Sequence, residues 1–557
     1  MQRVEVPVLI VGAGPVGLTA AILLARQGIE SLVVDRRPGP HRAPQAHVAN
    51  PRTLEIFRSA GFDRETLQRL ATPREDGSHV SWVTTLAGPE LGRLPYERQG
   101  DDALEYTPTP LLNLSQHRLE PLLLEHLHGA TVHYRHEWAA LEQEADGVTA
   151  RVRDLDQQRE YEVRSDWLLA ADGAGSRVRK ALGIEMIGPD RLQSFVMIHF
   201  EANLRPLVAD RPGVLYWVVD PACAGVFVAH DIDRTWVFMH PHDPDTEPIE
   251  TFTEEACAAI VRRAIAAAHV DLAVRDVSAW TMTAQVAARY REGRVFLVGD
   301  SAHRFPPAGG MGMNTGVQDV HNLAWKLRAV RDAWADVALL DTYEMERRPV
   351  AQRNAGQSLV NAMQMLELFT ELGLTEKTPA ARAALDAALA DPERVRRAIE
   401  RQQDHFDMFG LQLGVAYETG ALIPDGSEPC VPANPVRDFV PTTRPGSRLP
   451  HGWVEKDGMR CSVLDLVATD GLTLIAGPDG DTWRAAAEAC TAAPVRVVIA
   501  GDDFVDVEAH WARVAEIAAG GALLVRPDQH VACRAREMPR DPAMWLRDAV
   551  SLAVALK

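Results

Sequence analysis

The opening of this chain permits few folds. Val6–Val11 is a short apolar run with the character of a buried strand. Gly12-Ala13-Gly14-Pro15-Val16-Gly17 follows, then an Ala/Leu-rich helical stretch through Gln27, then a second strand, Glu30–Val34, ending at Asp35. Strand, GxGxxG, helix, strand and acid in that order describe a dinucleotide-binding unit. Gly12 makes the turn, Gly14 admits a pyrophosphate to the backbone, and Gly17 lets helix and strand pack. Asp35 lies eighteen residues past Gly17 and suits a ribose hydroxyl pair. Its charge disfavours a 2′-phosphate, so the ligand is FAD or NAD, and the motif alone does not choose between them.

Two further strand ends carry carboxylates. Trp167–Ala171 leads into Asp172-Gly173-Ala174-Gly175 and then Ser176–Arg179. Val295–Val298 leads into Gly299-Asp300, at the sheet edge where open α/β folds bind ligands. A loop with Pro306, Pro307, Gly309, Gly310 and Gly312 comes next, then a helix over Met313–Leu327 with Val317, Val320, Leu323, Ala324 and Leu327 on one face. Glycines at a helix start let N–H groups approach a ligand, and the helix dipole favours negative charge there. The stretch is suited to something hydroxylated at Asp300 and electron-rich at Gly312–Asn314.

Composition narrows the function classes. A chain of 557 residues holds two or three domains. A net charge of −19 argues against nucleic acid or an anionic membrane as partner. No apolar run reaches the roughly 18 residues of a membrane span. The first residues lead straight into a strand, without the regions of a signal peptide. The six cysteines show neither CxxC nor metal spacing. Reduced thiols in a cytoplasmic protein without a metal are the expectation.

Taken in order, GxGxxG with Asp35, Asp172-Gly173 with Arg179, and Gly299-Asp300 with Pro307, Gly312 and Asn314 resemble the motifs of the single-component (class A) FAD-dependent aromatic hydroxylases. The resemblance spans essentially the whole chain. The phenol/chlorophenol hydroxylase-like branch is the nearest, on His405-Phe406-Asp407 with Gly410–Gly414 and on Gly521–Asp528. The implied fold is α/β: a Rossmann-type FAD-binding domain, an inserted antiparallel-sheet substrate domain, and a C-terminal thioredoxin-like α/β domain, here without CxxC and so without a redox role. The expected parts are FAD-binding segments 1–75, 113–187 and 286–402 (the last with long helices), substrate-domain segments 76–112 and 188–285, a linker 403–447, and the C-terminal domain 448–557. Strands are expected at Phe195–Phe200, Val214–Val219, Gly225–His230 and Thr235–His240.

The resemblance implies roles for single residues. Gly12, Gly14, Pro15, Gly17 and Asp35 serve the ADP half of FAD, with Arg42, Gln45 and Gln116 nearer the flavin; Arg36 is a cofactor-binding candidate, as a receiver of a nicotinamide phosphate, against the alternative of a plain loop end. Asp172, braced by Arg179, serves FAD and NAD(P)H. Asp300 takes the ribityl chain, and Gly310, Gly312, Met313 and Asn314 meet the flavin ring. Pro307 lies between flavin and substrate. Gln45 stands where the family usually has an arginine, which leaves NADH versus NADPH open. Pro307 and His47 are the expected catalytic residues, and Tyr216, Trp217 and Pro306 the substrate contacts. Tyr216 and Trp217 point to opposite faces of one strand, so at most one faces the ligand. His303 is expected to be structural.

The implied reaction is hydroxylation of a phenolic or polycyclic aromatic compound by O2 through a flavin C4a-hydroperoxide, with NADPH or NADH as transient reductant. No second GxGxxG follows a later strand, so the reductant has no domain of its own. The alternatives are a flavin oxidase or dehydrogenase without oxygen insertion, and a non-catalytic flavin-fold binder. The oligomeric state, a homodimer included, stays open.

Overall fold

The computed structural model describes residues 3–373 and 379–555. Its largest sheet is built on the strand Arg3–Val11, with Ser31–Asp35 and then Ala130–Tyr134 on one side. On the other side lie Arg159–Ala170, Val295–Leu297 and Arg291–Glu292. The four innermost pairings are parallel. Parallel strands need both faces covered, and the apolar runs supply this: Val8, Leu9, Ile10, Val33, Leu168 and Phe296 are all inaccessible. Helices Pro15–Arg26 and Met311–Arg331 pack together over the sheet. Three strand ends, at Val11, Ala170 and Leu297, therefore stand side by side in register, and the three motifs follow them.

The expected strand at Trp167–Ala171 is the end of a longer, twelve-residue strand, Arg159–Ala170. Its first half pairs with Gly147–Asp154 and residues 162–170 run beside Arg3–Val11, so the polar residues around Arg164 do not break it.

The second sheet has seven strands, in the order Ala273–Met282, Gln193–Glu201, Thr235–His242, Gly225–Asp231, Leu215–Val218, His79–Val83, Glu90–Pro95. The sheet is antiparallel as expected except at one pair, Leu215–Val218 with His79–Val83, which is parallel. Ala273–Met282 escaped notice because its edge position leaves most side chains wet, so its apolar alternation is weak. One face, with Val196, Ile198, Phe200, Tyr216, Phe227, Trp236 and Phe238, is closed by the helix Glu254–Ile265. The other face carries Met197, His199, Trp217 and His230, because side chains alternate along a strand.

In the C-terminal part, Leu472–Ala476 pairs in parallel with Val495–Ile499 and antiparallel with Ala522–Val525, which pairs with Val531–Ala535. Helices Thr482–Glu488, His510–Val514 and Pro542–Ala553 complete this four-stranded unit. Among the described residues no helix is long and apolar enough to cross a membrane.

A buried charge cluster fastens this unit to the helices Met311–Arg331 and Thr342–Glu371. Glu346 of the helix Thr342–Glu371 accepts hydrogen bonds from Lys326 (2.7 Å), Asn322 (2.6 Å), Arg526 (2.7 and 2.8 Å) and the Ala421 N–H (2.8 Å). Burial works against its charge, but Arg526 and Lys326 outweigh it and hold its carboxyl at about 2. Glu346→Gln removes the charge and leaves two buried cations undercompensated. The expected cost is about 3–5 kcal/mol, read as a lowered denaturant midpoint at unchanged slope.

Candidate active site

The cradle begins at Gly12. Its φ is +109°, its N–H donates to the Val34 carbonyl (2.8 Å), and a Cβ there would lie 2.2 Å from the Ala171 oxygen. A Cβ on Gly17 would lie 1.9 Å from the Gly12 oxygen. These two glycines are required by the protein's own packing. Gly14 differs: a Cβ there meets nothing within 4 Å, so the space above it is open. Gly14 is the N-cap of Pro15–Arg26, with no side-chain cap and no acid in the first turn, so the helix start is free to receive an anion.

Asp35 accepts the Ala13 N–H (2.7 Å), the Arg37 N–H (2.8 Å) and the Arg37 guanidinium (2.9–3.2 Å). Burial raises its pKa, but the bonds from Arg37 and Ala13 prevail and keep it below the usual carboxylate range. Arg37 thus holds the acid, whereas Arg36 is exposed and bonds no described residue. Arg37 also lies 3.8 Å from Glu120, which accepts the His41 N–H (2.7 Å) and the Gln116 side-chain amide (2.8 Å). Gln116 starts the helix Gln116–Glu125, and its N–H donates to the Ala46 carbonyl (2.7 Å). Glu120 therefore anchors the loop carrying Arg42, Gln45 and His47. It was not found from sequence, although its position four residues after Gln116 on one helix face was the available signal. Arg42 and Gln45 are exposed on that loop.

At the second motif Asp172 accepts Ser176 Oγ–H (2.6 Å) and the N–H groups of Arg177 (2.8 Å) and Val178 (3.2 Å), and burial raises its pKa. Cβ atoms on Gly173 and Gly175 would meet nothing. Arg179 feels the charge of Asp172 and its N–H donates to Ser176 Oγ (3.0 Å), while its guanidinium donates to the Ser301 carbonyl (3.0 Å), tying the second motif to the third.

Asp300 follows in a single 3-10 turn, Gly299–Ser301. Its side chain is exposed to the gap and takes no hydrogen bond from any described residue, while the protein ringing the site raises its pKa through burial. Its Oδ1 lies 4.0 Å from where a Gly312 Cβ would stand. Gly310 (φ +61°) caps the helix Met311–Arg331, again with no side-chain cap and no acid in the first turn. Met313 is nearly buried behind this start. Asn314 is a clip: its side chain donates to the Val48 (3.0 Å) and Gly310 (2.6 Å) carbonyls and accepts the Asn50 N–H (2.9 Å). Pro307 is exposed and Pro306 beside it is buried. His303 is structural, donating to Asp319 (2.8 Å) and stacking on Phe305.

The sheet assigns the two aromatic candidates. Tyr216 is a correction: it lies fully buried on the face under helix Glu254–Ile265, against Trp236, with its hydroxyl donating to the Arg211 carbonyl (3.1 Å). Trp217 faces the other way, towards Phe369 and His405. On that same face His230 meets His47 edge-on at 5.5 Å between ring centres. His47 Nε2 is buried without a partner, and burial lowers the ring's pKa to about 4.

Open space above Gly14, Gly173 and Gly175, two uncapped helix starts and an unpaired carboxylate at Asp300 fit a long anionic ligand with a hydroxylated middle, as FAD is. Gly14→Ala keeps an allowed backbone (φ −78°). It should fold with an unchanged melting temperature yet bind FAD about tenfold more weakly or worse, a loss of ~1.4 kcal/mol, by fluorescence titration of the apoprotein. Gly12→Ala, by contrast, should lower the melting temperature itself.

Comparison with known proteins agrees. The FAD binding domain family matches residues 5–358, and the family described as aromatic-ring hydroxylase, C-terminal, matches residues 442–554. The 2,4-dichlorophenol 6-monooxygenase of Cupriavidus pinatubonensis is 35% identical, covering 97% of this chain and 95% of the relative. Aklavinone 12-hydroxylase RdmE of Streptomyces purpurascens is 36% identical, covering 98% of each. Among solved structures, the flavin-dependent monooxygenase PieE in complex with FAD and substrate superposes with a TM-score of 0.91 at 37% identity over 100% of both chains. The ternary complex of aklavinone-11 hydroxylase with FAD and aklavinone gives 0.83 at 33%, also over 100% of both. The chain belongs to the FAD-dependent aromatic-ring hydroxylases, flavoprotein monooxygenases that use NAD(P)H and O2.

Proposed function

We propose that this hydroxylase acts on a polycyclic phenol held between the His230 face of the second sheet and the loop at Pro307, with His47 taking the phenol proton. The bound flavin supplies reducing equivalents from NAD(P)H and activates O2; the chain supplies the surroundings. Gly14 and the helix start behind it take the pyrophosphate, with Asp35 on the ribose. Asp300 takes the ribityl hydroxyls. The N–H groups at Gly312–Asn314 favour negative charge on the ring beside them. Met197, Met239 and Trp217 give the substrate a soft, apolar wall that keeps water out.

One observation carries the assignment of His47: a buried, neutral imidazole with an unpaired Nε2 at the mouth of the cleft. Buried polar atoms are paired in nearly all proteins, so an unpaired one at a ligand cleft points to the ligand. Removing a phenol proton raises the electron density of the ring that oxygen must attack. The polycyclic class rests on the aklavinone hydroxylases; a single-ring phenol is the second reading, favoured by the dichlorophenol monooxygenase.

A panel of single-ring and polycyclic phenols, assayed for NAD(P)H oxidation, H2O2 and incorporation of labelled oxygen, tests the reading. Tight coupling is expected with polycyclic phenols. Consumption balanced by H2O2 throughout the panel would overturn the substrate class.

His47 must be unprotonated to act. Because its pKa is lowered to about 4, the hydroxylation rate should hold steady across neutral pH and fall only as pH drops through about 4. His47→Asn should slow single-turnover hydroxylation about 100-fold at neutral pH. The rate should recover towards alkaline pH, where the substrate arrives as phenolate, with the KM for NAD(P)H unchanged.

A further inference from the structure

Ser115 lies directly before the helix Gln116–Glu125, nearly inaccessible to solvent. Its hydroxyl does not cap that helix. Instead Oγ lies 2.9 Å from His230 Nδ1 and 2.8 Å from His117 Nδ1. A single hydroxyl between two imidazole nitrogens donates to one ring and accepts from the other, so the two rings must hold opposite tautomers. His230 is 2% exposed and touches His47; His117, on the helix, is only half-buried. The three side chains thus run from the cleft to the surface. His230 Nε2 and His117 Nε2, the two outer nitrogens, bond no described residue.

We propose that His230, Ser115 and His117 form a proton wire that carries the phenol proton from the cleft to solvent. This rests on the placement of the phenol at His47 and His230. In the starting arrangement His230 carries its proton on Nδ1 and donates to Ser115, whose hydroxyl donates to His117 Nδ1; His117 carries its proton on Nε2. A proton arriving at His230 Nε2, directly or from His47, is matched by one moving from His230 Nδ1 to Ser115 Oγ. The hydroxyl proton passes to His117 Nδ1, and His117 releases its Nε2 proton to water. One proton enters and one leaves, no ring stays charged, and both tautomers are inverted. Ser115 and His117 touch no substrate and act through His230.

The surroundings favour transfer without lasting charge. Burial, with smaller contributions from Arg118 and His199, lowers His117 to about 4. Burial, helped by His47, His117, His199 and Arg118, puts His230 well below its ordinary value. His199 faces the wire from strand Gln193–Glu201, beside Asp276. Arg118 is paired with Asp231 at 3.1 Å. A proton resting on either ring is costly, so it moves on.

The test uses the full-length, FAD-loaded, oxidised enzyme with alizarin, a polycyclic phenol whose colour changes when it loses a proton. After a pH jump, absorbance reports ionisation of the bound dye and an indicator in solution reports the proton's release. Wild type and Ser115→Thr, which keeps the hydroxyl, should relax quickly. Ser115→Ala and His117→Gln should both relax about 100-fold more slowly, with FAD affinity and alizarin affinity unchanged. Equal rates for Ser115→Ala and wild type overturn the wire, as does a slow Ser115→Ala beside a normal His117→Gln, or a wild-type dye whose ionisation is unchanged on binding. Failure of the substrate reading shows elsewhere, as absent oxygen incorporation from polycyclic phenols, and is compatible with a Ser115-dependent pH jump.

Discussion

Asp319 is a carboxylate fully buried in the middle of the helix Met311–Arg331, and the geometry of the flavin site depends on it. One oxygen accepts the Arg347 guanidinium (2.8 Å); the other accepts His303 (2.8 Å) and the Gly299 N–H (3.2 Å). Burial alone would neutralise such a group, but Arg347 and His303 prevail and keep it charged. The three partners come from three pieces of chain. Through Asp319 the turn bearing Asp300, the short strand after it and the helix Thr342–Glu371 are fixed to the helix whose first turn faces the flavin. Gly316 lets the pieces close, since a Cβ there would be 2.9 Å from the Gly299 Cα. The unpaired carboxylate of Asp300 and the uncapped helix start at Gly310, on separate segments, are thereby held in one frame, as preorganised electrostatics requires.

The same device recurs outward. Glu346 gathers Lys326, Asn322 and Arg526. Glu55 takes Arg52 (3.0 Å) and Arg448 (2.8 Å), and Arg52 donates to Gln529 (2.7 Å) and the Asp528 carbonyl (2.7 Å). Arg526 and Asp528 belong to the C-terminal unit, so that unit is joined to the two helices behind the flavin by buried ions rather than by an apolar seam alone. Buried ion pairs add little net stability over apolar packing, yet they are costly to break singly. They suit an interface that must be aligned in one way. This gives the unit a positioning role that needs no CxxC.

Glycines and strand-end acids were legible because their constraints are local. Gly12 and Gly17 are demanded by neighbours within one βαβ turn, and the open space at Gly14 follows from the same motif. What stayed hidden depends on partners distant in sequence. The parity of Tyr216 and Trp217 was readable, but which face a helix would close was not; the helix Glu254–Ile265 covers the Tyr216 side. The parallel pair between Leu215–Val218 and His79–Val83 joins segments more than a hundred residues apart, and nothing in either strand announces its partner's direction. Beyond its spacing from Gln116, nothing local marks Glu120 among the helical carboxylates; His41 and Gln116 converge on it only in the fold.

Burial makes the cleft's histidines both difficult to charge and chemically useful. His47, His117 and His230 all have lowered pKa values, chiefly through desolvation. An apolar wall that excludes water also removes water as the acceptor for a substrate proton. A hydroxylase of phenols therefore needs an internal acceptor in its driest region, one that is neutral before the proton arrives. Asp35 and Asp172 are committed to hydrogen bonds with their own loops. Neutral imidazoles on the sheet face meet that requirement. Their reach to the half-exposed His117 explains how a closed cleft can lose a proton without opening.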